Sequence, residues 1–542
     1  MNGSPLPTPP LYNAIQKFFG LFLLLCFGLL LTFCESEPRQ DSDEGIAEWP
    51  NAVTYEVFVH SFADGSGDGI GDFQGLISKL DYLDDLGVQA LWLMPIHPSP
   101  TYHKYDVTDY RAIHPDYGTM DDFEEFLEEA HARDIRVVID FVVNHTSSEH
   151  PWFVDAIENP DGHFYDFYIW ESEENIDNMT VDYTGPDTDN VQRWNEADGT
   201  DEYFYAYFWS GMPDLNYDNP AVRDSIYDIG KYWLEKGVDG FRLDAARHIY
   251  PEHREDENPA FWEEFRAEME SVNEDVLLVG EVWAETEEVK PYLTGLPSLF
   301  NFDMGYAMME AAETGNGTDV APKHAGILDA YATVTDDFID ATFLTNHDQE
   351  RVMSTLDDEN KARVAANMLF TLPGAPYIYY GEEIGMYGEK PDPNIREPML
   401  WNEQPDDIRT TWKDPEYSTD ETVTPVSVQL EDENSLLHHY KELIELRNTQ
   451  PALTYGGLEP VEAFDDELSV FVRTHEEGNL LVIHNVSGES HQLTLTDELE
   501  AYEEIIYQSD DGFTFDSHDL TLQPHSSVVL GISGESDASY GN

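Results

Sequence analysis

Gly240-Phe241-Arg242-Leu243-Asp244-Ala245-Ala246-Arg247-His248 follows a helical run from Ala221 to Lys236 and a Gly237-Val238-Asp239 turn. Its first half therefore reads as a short buried strand, and its second half as the loop leaving that strand's C-terminal end. Side chains two apart on a strand share a face, which sets Arg242 beside Asp244. A cation there favours the ionised carboxylate while burial opposes it, so Asp244 is a candidate for an anion kept charged in a dry place. On this stretch alone a nucleophile, an electrostatic stabiliser and a structural ion pair fit equally well.

Two other strand ends shift that balance. Val276-Leu277-Leu278-Val279-Gly280-Glu281-Val282-Trp283 is an apolar run ending in a carboxylate near an indole, surroundings that raise a Glu pKa and suit it to donate a proton. Ala341-Thr342-Phe343-Leu344-Thr345-Asn346-His347-Asp348 is another apolar run, ending in a His-Asp pair. Three such endings with helical segments between them point to an α/β chain folded as a (β/α)8 TIM barrel, whose site gathers residues from the C-terminal strand ends. Further strands are expected at Tyr55–Val59, Ala90–Pro95, Ile135–Phe141, Leu299–Asp303 and Gly374–Glu383, and one helix carries Leu76, Leu80, Leu83 and Leu86.

Together with Asp140-Phe141-Val142-Val143-Asn144-His145, these stretches resemble the conserved regions of glycoside hydrolase family 13, the α-amylase family. Met212-Pro213-Asp214-Leu215-Asn216 further resembles the fifth conserved region of subfamily 36. The resemblance implies a catalytic barrel over residues 49–450 with a domain B, residues 146–211, inserted after the third strand as one wall of a substrate cleft. It implies Asp244 as nucleophile, Glu281 as general acid and base, and Asp348 as the group holding the sugar's 2- and 3-hydroxyls. Tyr105 would stack on the sugar, His145 and His347 would contact it, and Arg242 would keep Asp244 oriented and ionised. Of Tyr203, Phe204, Tyr205, Tyr207, Phe208 and Trp209, most are expected in the core and one or two along sugar subsites.

Retention of configuration is likewise what the resemblance implies. Ala245, directly after the nucleophile, resembles enzymes that prefer α-1,4 links, which favours an α-amylase on starch, maltodextrins or cyclodextrins. The rivals are an α-glucosidase or oligo-1,6-glucosidase, transfer to another sugar, and a non-catalytic glucan-binding protein. The last has no need of an intact Asp244, Glu281 and Asp348.

Asp64-Gly65-Ser66-Gly67-Asp68-Gly69-Ile70-Gly71-Asp72 places oxygen side chains at its first, third, fifth and ninth positions with Gly at the sixth, like the start of a calcium loop. The twelfth position is Gly75, so it is not an EF-hand. A glycine-rich turn with solvated acids is the alternative. The resemblance favours Ca2+ held by Asp64, Ser66, Asp68 and Asp72 together with Ile70. Asn144 and His248 match positions that hold a second calcium in many α-amylases, but the remaining ligands do not align and that site stays open.

After the helical Ser435–Arg447 the pattern changes to period-two runs such as Ser469–Arg473 and Leu480–Ile483, which predict an all-β sandwich domain over residues 451–533, then a tail over 534–542. The 542 residues carry 110 acidic against 27 basic side chains, a formal charge of −83. That excludes nucleic acid and disfavours anionic membrane surfaces as partners. Self-repulsion of this size needs screening, so a halophile's protein is expected. Its melting temperature should fall as salt drops from molar to millimolar, and a flat profile by scanning calorimetry would exclude this.

Both cysteines, Cys26 and Cys34, lie in the N-terminal apolar stretch, so the folded domains have no internal disulfide. Lys17 precedes the apolar run Phe18–Phe33, which fits a signal-peptide core over residues 1–34, and 35–48 reads as an acidic linker. Leu31-Thr32-Phe33-Cys34 resembles a bacterial lipoprotein cleavage box, with Phe33 where that pattern has a small residue. A lipid-anchored Cys34 leads, with a cleaved signal or an uncleaved anchor as alternatives. All place the enzyme outside the cytoplasmic membrane, as a monomer whose partner is an α-glucan.

Overall fold

Eight short buried strands are parallel and close into a barrel in the computed structural model, which describes residues 49–178, 193–197, 200, 202–403, 407–462 and 464–532. They are β1 (Thr54–Val57), β2 (Ala90–Leu93), β3 (Arg136–Phe141), β4 (Gly240–Leu243), β5 (Leu277–Gly280), β6 (Ser298–Phe300), β7 (Ile339–Phe343) and β8 (Ala375–Tyr379). Each pairs with its sequence neighbours and β8 closes on β1. The expected anchor, lipobox and linker over 1–48 and the tail over 534–542 lie outside the described residues. No helix among the described residues is long and apolar enough to cross a membrane.

The segment before the Arg242 strand shows how local chemistry builds the repeat. Asn219 caps helix Pro220–Lys236 by accepting from the Ala221 N–H, Pro220 suits the first turn, and Gly237 ends the helix at φ 104°. Trp233 is buried from this helix and donates its indole N–H to the Tyr110 carbonyl at 2.8 Å. The chain then enters β4 at Gly240, where a Cβ would fall 2.5 Å from the Leu277 carbonyl, so only glycine permits the approach of β5. Below the polar end, the barrel interior is filled by Trp92, Val138, Val279, Phe300, Phe343 and Tyr377, a packed core rather than a pore.

One sequence expectation needs correcting. Leu76, Leu80, Leu83 and Leu86 are all buried, but on two helices, Phe73–Ile77 and Leu80–Leu86, rather than one. The Ser78 hydroxyl donates to the Gly75 carbonyl at 2.6 Å at the end of the first helix, and Lys79 leaves helical geometry at φ −110° and ψ 1°.

Between β3 and β4 lies a three-stranded antiparallel sheet, Trp170–Ser172, Glu202–Tyr205 and Trp194–Glu196, with helix Pro151–Glu158 before it. The Met212–Asn216 stretch returns the chain to the barrel: Leu215 N–H donates to the Asn144 carbonyl at 2.9 Å, and Thr146 N–H to the Pro213 carbonyl at 3.2 Å. After helix Pro451–Tyr455, strands from Gly457 onward form a five-stranded and a three-stranded antiparallel sheet. Val470, Ile483 and Leu530 from the first share a core with Leu493, Leu520 and Leu522 from the second, as a sandwich requires. Arg473, buried on the sandwich strand Leu468–Thr474, donates to the Thr371 carbonyl at the end of helix Glu359–Thr371 and ties the sandwich to the barrel, while Arg447, buried on helix Leu436–Thr449, donates to the Phe370 and Leu372 carbonyls there.

Candidate active site

The polar end of the barrel is organised by Arg242. On paired strands, Asp140 lies directly opposite Arg242, and both point into the barrel. Arg242 Nη1 donates to Asp140 Oδ1 and Oδ2 at 3.0 and 2.9 Å and to Asp244 Oδ1 at 2.8 Å, while Nη2 lies 2.6 Å from Glu281 Oε1. The guanidinium is 1 % exposed and packs over the rings of Trp92 and Tyr105. The Ala245 N–H donates to Glu281 Oε2 at 3.2 Å, and Ala245 has left-handed backbone geometry at φ 49°. The residue after the expected nucleophile therefore holds the expected acid.

A second chain of contacts runs from Tyr105 to Asp348. The Tyr105 hydroxyl donates to Asp140 Oδ2 at 3.0 Å and lies 2.7 Å from His347 Nε2. His347 Nδ1 meets Glu56 Oε1 at 2.5 Å, and its Nε2 is 3.1 Å from Asp348 Oδ2. Arg396 donates to Asp348 Oδ1 at 2.8 Å and to the His347 carbonyl at 3.0 Å. Thus Asp244, Glu281 and Asp348, from the ends of β4, β5 and β7, share one network.

One guanidinium cannot neutralise Asp140, Asp244 and Glu281 together. Burial pushes the Asp244 carboxyl well above the usual carboxylate range; Arg242 opposes this, and the charges of Glu281, Asp140 and Asp348 add to it. Burial likewise raises Asp140 to about 6 against the pull of Arg242. Asp348 goes the other way: burial would raise it, but His347 and Arg396 hold it well below the usual range. The network thus favours the ionised form of Asp348 and disfavours charge on Asp244 and Asp140. Arg242, expected to orient Asp244, also binds Asp140 and Glu281, so its charge is shared among three carboxylates.

Burial would lower His347, but the charges of Asp348 and Glu56 raise it to about 9. As an imidazolium it donates from both nitrogens. A cation whose pKa is raised on folding stabilises fully below its unfolded value near 6.5 and loses that contribution as pH climbs through about 9. The melting temperature should therefore decline between about pH 6.5 and 9, and in His347→Asn that decline should shrink. Parallel profiles of the two proteins would refute this.

Among Tyr105, His145, His347 and Arg242, Tyr105 alone keeps appreciable surface. His145, His347 and Arg242 are each at most 1 % exposed. His145 Nδ1 meets Asn144 Oδ1 at 2.9 Å, its Nε2 meets the Tyr105 carbonyl at 3.2 Å, and Phe208 covers its ring. Their polar contacts run to Tyr105 and Asn144 from His145, to Tyr105 and Asp348 from His347, and to Asp244 and Glu281 from Arg242. Sequence reading missed Glu56, Asp140 and Arg396. A charged residue at an inward position of an apolar strand was the available signal for the first two. Trp283, expected beside Glu281, stacks on Phe302 at 4.7 Å and donates to the Tyr306 hydroxyl at 3.0 Å.

In the glycine-rich loop the carboxylates do not converge on one point among the described residues. Asp64 accepts from the N–H groups of Gly67 and Gly69 at 2.6 and 2.7 Å, and Asp72 from those of Gly65, Ser66 and Gly75. Asp68 accepts from the Ile70 N–H at 2.9 Å. Asp64 and Asp72 are 4 % and 5 % exposed, and among the described residues no Lys, Arg or His pairs with either. Two buried carboxylates without a cation, in a loop of hard oxygen donors, fit a calcium ion. At the second position Asn144 donates to Asp214 Oδ2 at 3.3 Å and to the His248 carbonyl. With its oxygen on His145, Asn144 is satisfied by protein groups there.

The family model described as alpha amylase, catalytic domain, matches residues 56–456, and that of the alpha-amylase SusG C-terminal domain matches residues 468–529. The chain is 40 % identical over 523 residues to alpha-amylase 3 of Dictyoglomus thermophilum, covering 95 % of this chain and 99 % of that one. It is 31 % identical to an oligo-1,6-glucosidase of Bacillus cereus, covering 89 % and 99 %. The crystal structure of an α-amylase from H. orenii superposes with a TM-score of 0.80 at 41 % identity, covering 89 % of this chain and 99 % of that one.

Proposed function

The chain belongs to glycoside hydrolase family 13, the α-amylase family, and from that membership we propose that it is a retaining α-amylase cleaving α-1,4-glucosidic bonds in starch, maltodextrins or cyclodextrins. The carrying observation is that one guanidinium, Arg242, binds both Asp244 and Glu281, at 2.8 and 2.6 Å. Two carboxylates bridged by a single side chain suit the separation of about 5 Å that a covalent route needs better than the wider gap that admits a water between them.

Asp244 attacks the anomeric carbon as the bond to the leaving oxygen breaks, and Glu281 gives that oxygen its proton. Glu281 then takes a proton from water, whose oxygen displaces Asp244 from the same carbon. Asp348, ionised by His347 and Arg396, grips the ring hydroxyls while charge develops. Ala245 beside Asp244 supports the α-1,4 preference. The oligo-1,6-glucosidase relatives keep the exo-acting and α-1,6 reading as the rival, and the Met212–Asn216 stretch supports a place in subfamily 36.

Product analysis on starch, maltoheptaose and isomaltose in high salt tests this reading. Internal cuts of starch are expected. Glucose alone would favour the exo-glucosidase, and binding without products the non-catalytic scaffold.

We further propose that Asp64, Ser66, Asp68, Asp72 and the Ile70 carbonyl hold a structural calcium ion, whose part is to neutralise the loop rather than to enter the reaction. Chelation should lower the melting temperature by about 5–10 °C, and Asp64→Ala should start lower and no longer respond to chelator. An unchanged wild-type transition would end this assignment. Export with lipidation at Cys34 is our reading of the N-terminus, and mass spectrometry of the mature protein checks it.

A further inference from the structure

We infer that Trp209 is a fixed aromatic platform for a pyranose ring next to the one being cleaved, and so a determinant of how the enzyme holds a glucan chain. This inference rests on the glucanase reading and deepens it. Of the six aromatics crowding residues 203–209, Phe204, Tyr205 and Tyr207 are buried, whereas Trp209 is 47 % exposed. Single exposed apolar side chains are ordinary on protein surfaces. What distinguishes Trp209 is how it is fixed and what lies beside it.

The indole lies over Gly211: a Cβ there would fall 2.2 and 2.3 Å from Trp209 Cζ2 and Cη2. Glycine at this position therefore lets one face of the indole lie against backbone. The turn beneath is closed by the Met212 N–H donating to the Trp209 carbonyl at 2.8 Å. It is tied to the barrel by the Ser148 N–H donating to the Gly211 carbonyl at 2.8 Å, and the Tyr207 N–H donates to Asp214 Oδ1 at 2.9 Å. An exposed side chain on a turn held at three points has little freedom left to lose on binding.

Its place follows from Phe208. That ring packs on His145 with centroids 5.3 Å apart, and His145 Nε2 meets the carbonyl of Tyr105, the residue expected to stack on the sugar. Trp209 follows Phe208 directly in the chain, on the segment inserted between β3 and β4. A large flat ring with one covered face, one open face and an N–H at its edge suits a pyranose, whose axial C–H groups pack on the ring while its hydroxyls stay free. The ligand class is a glucose unit of an α-glucan longer than the single reacting ring.

The test combines three variants and two readouts. Trp209→Ala should raise KM for maltoheptaose about tenfold, and should raise the calorimetric Kd of maltotriose on an Asp244→Asn background by a similar factor. The loss in kcat/KM on maltoheptaose should exceed the loss on 4-nitrophenyl α-glucoside, which offers one sugar, by at least about fivefold. Trp209→Phe should recover most of the effect. Gly211→Ala, whose new methyl must push the indole off its seat, should weaken maltotriose binding in the same direction although Trp209 is still present. Unchanged KM and Kd in Trp209→Ala, or equal losses on the long and the one-sugar substrate, would overturn the platform while wild-type cleavage of maltoheptaose still upheld the glucanase reading. Wild-type protein that neither cleaved nor bound maltooligosaccharides would overturn both.

Discussion

Asp244→Asn should lose at least about four orders of magnitude in kcat on maltoheptaose while keeping its melting temperature within a few degrees of wild type. Asp244 Oδ1 is the oxygen that Arg242 binds at 2.8 Å, and an amide in the same place neither forms the ester nor carries the charge that meets the anomeric carbon. The fold should tolerate the change because burial already penalises the charged form here. Removing a carboxylate from a group that outnumbers its cation relieves repulsion with Asp140 and Glu281. Rate and melting temperature should therefore separate. An Asn variant within tenfold of wild-type kcat would remove Asp244 from the mechanism, and one that failed to fold would show its role to be structural.

Arg242→Met should lose both activity and stability, because the guanidinium is the cation that Asp140, Asp244 and Glu281 share. Removing one partner of a buried ion network costs on the order of 3–5 kcal/mol. Without Arg242 the Asp244 carboxyl climbs further from its usual range, so the acid limb of kcat/KM should move to higher pH as kcat falls by about a thousandfold. Arg242→Lys keeps a charge but loses the fork that reaches Glu281 through Nη2 and Asp244 through Nη1. It should recover more of the melting temperature than of the rate. Full activity in the Lys variant would show that charge alone suffices at this position.

Much of this organisation is written locally. Apolar runs with helices between them foretold the eight strands, and Asp244, Glu281 and Asp348 stood out because each follows such a run. The barrel brings them together since its strands are parallel, so all C-terminal ends meet at one rim. Asp140 and Glu56 were harder to see, being charges inside strands, where sequence shows the anomaly but not the partner. Arg396 has no local signal, lying far along the chain from Asp348. In the acidic loop the ligand-like spacing was legible, whereas the backbone N–H groups that Asp64 and Asp72 accept from were visible only in the folded loop.

What residue order establishes here is periodic and short in range: the barrel, the sandwich that follows it, and three acids delivered to one end. What waited for the folded molecule was every property that depends on counting neighbours across strands. That Arg242 serves three carboxylates, that His347 is enclosed, and that Trp209 stays open while Tyr207 does not, are facts of contact and burial. Both are set by side chains distant in sequence, and neither has a period to read.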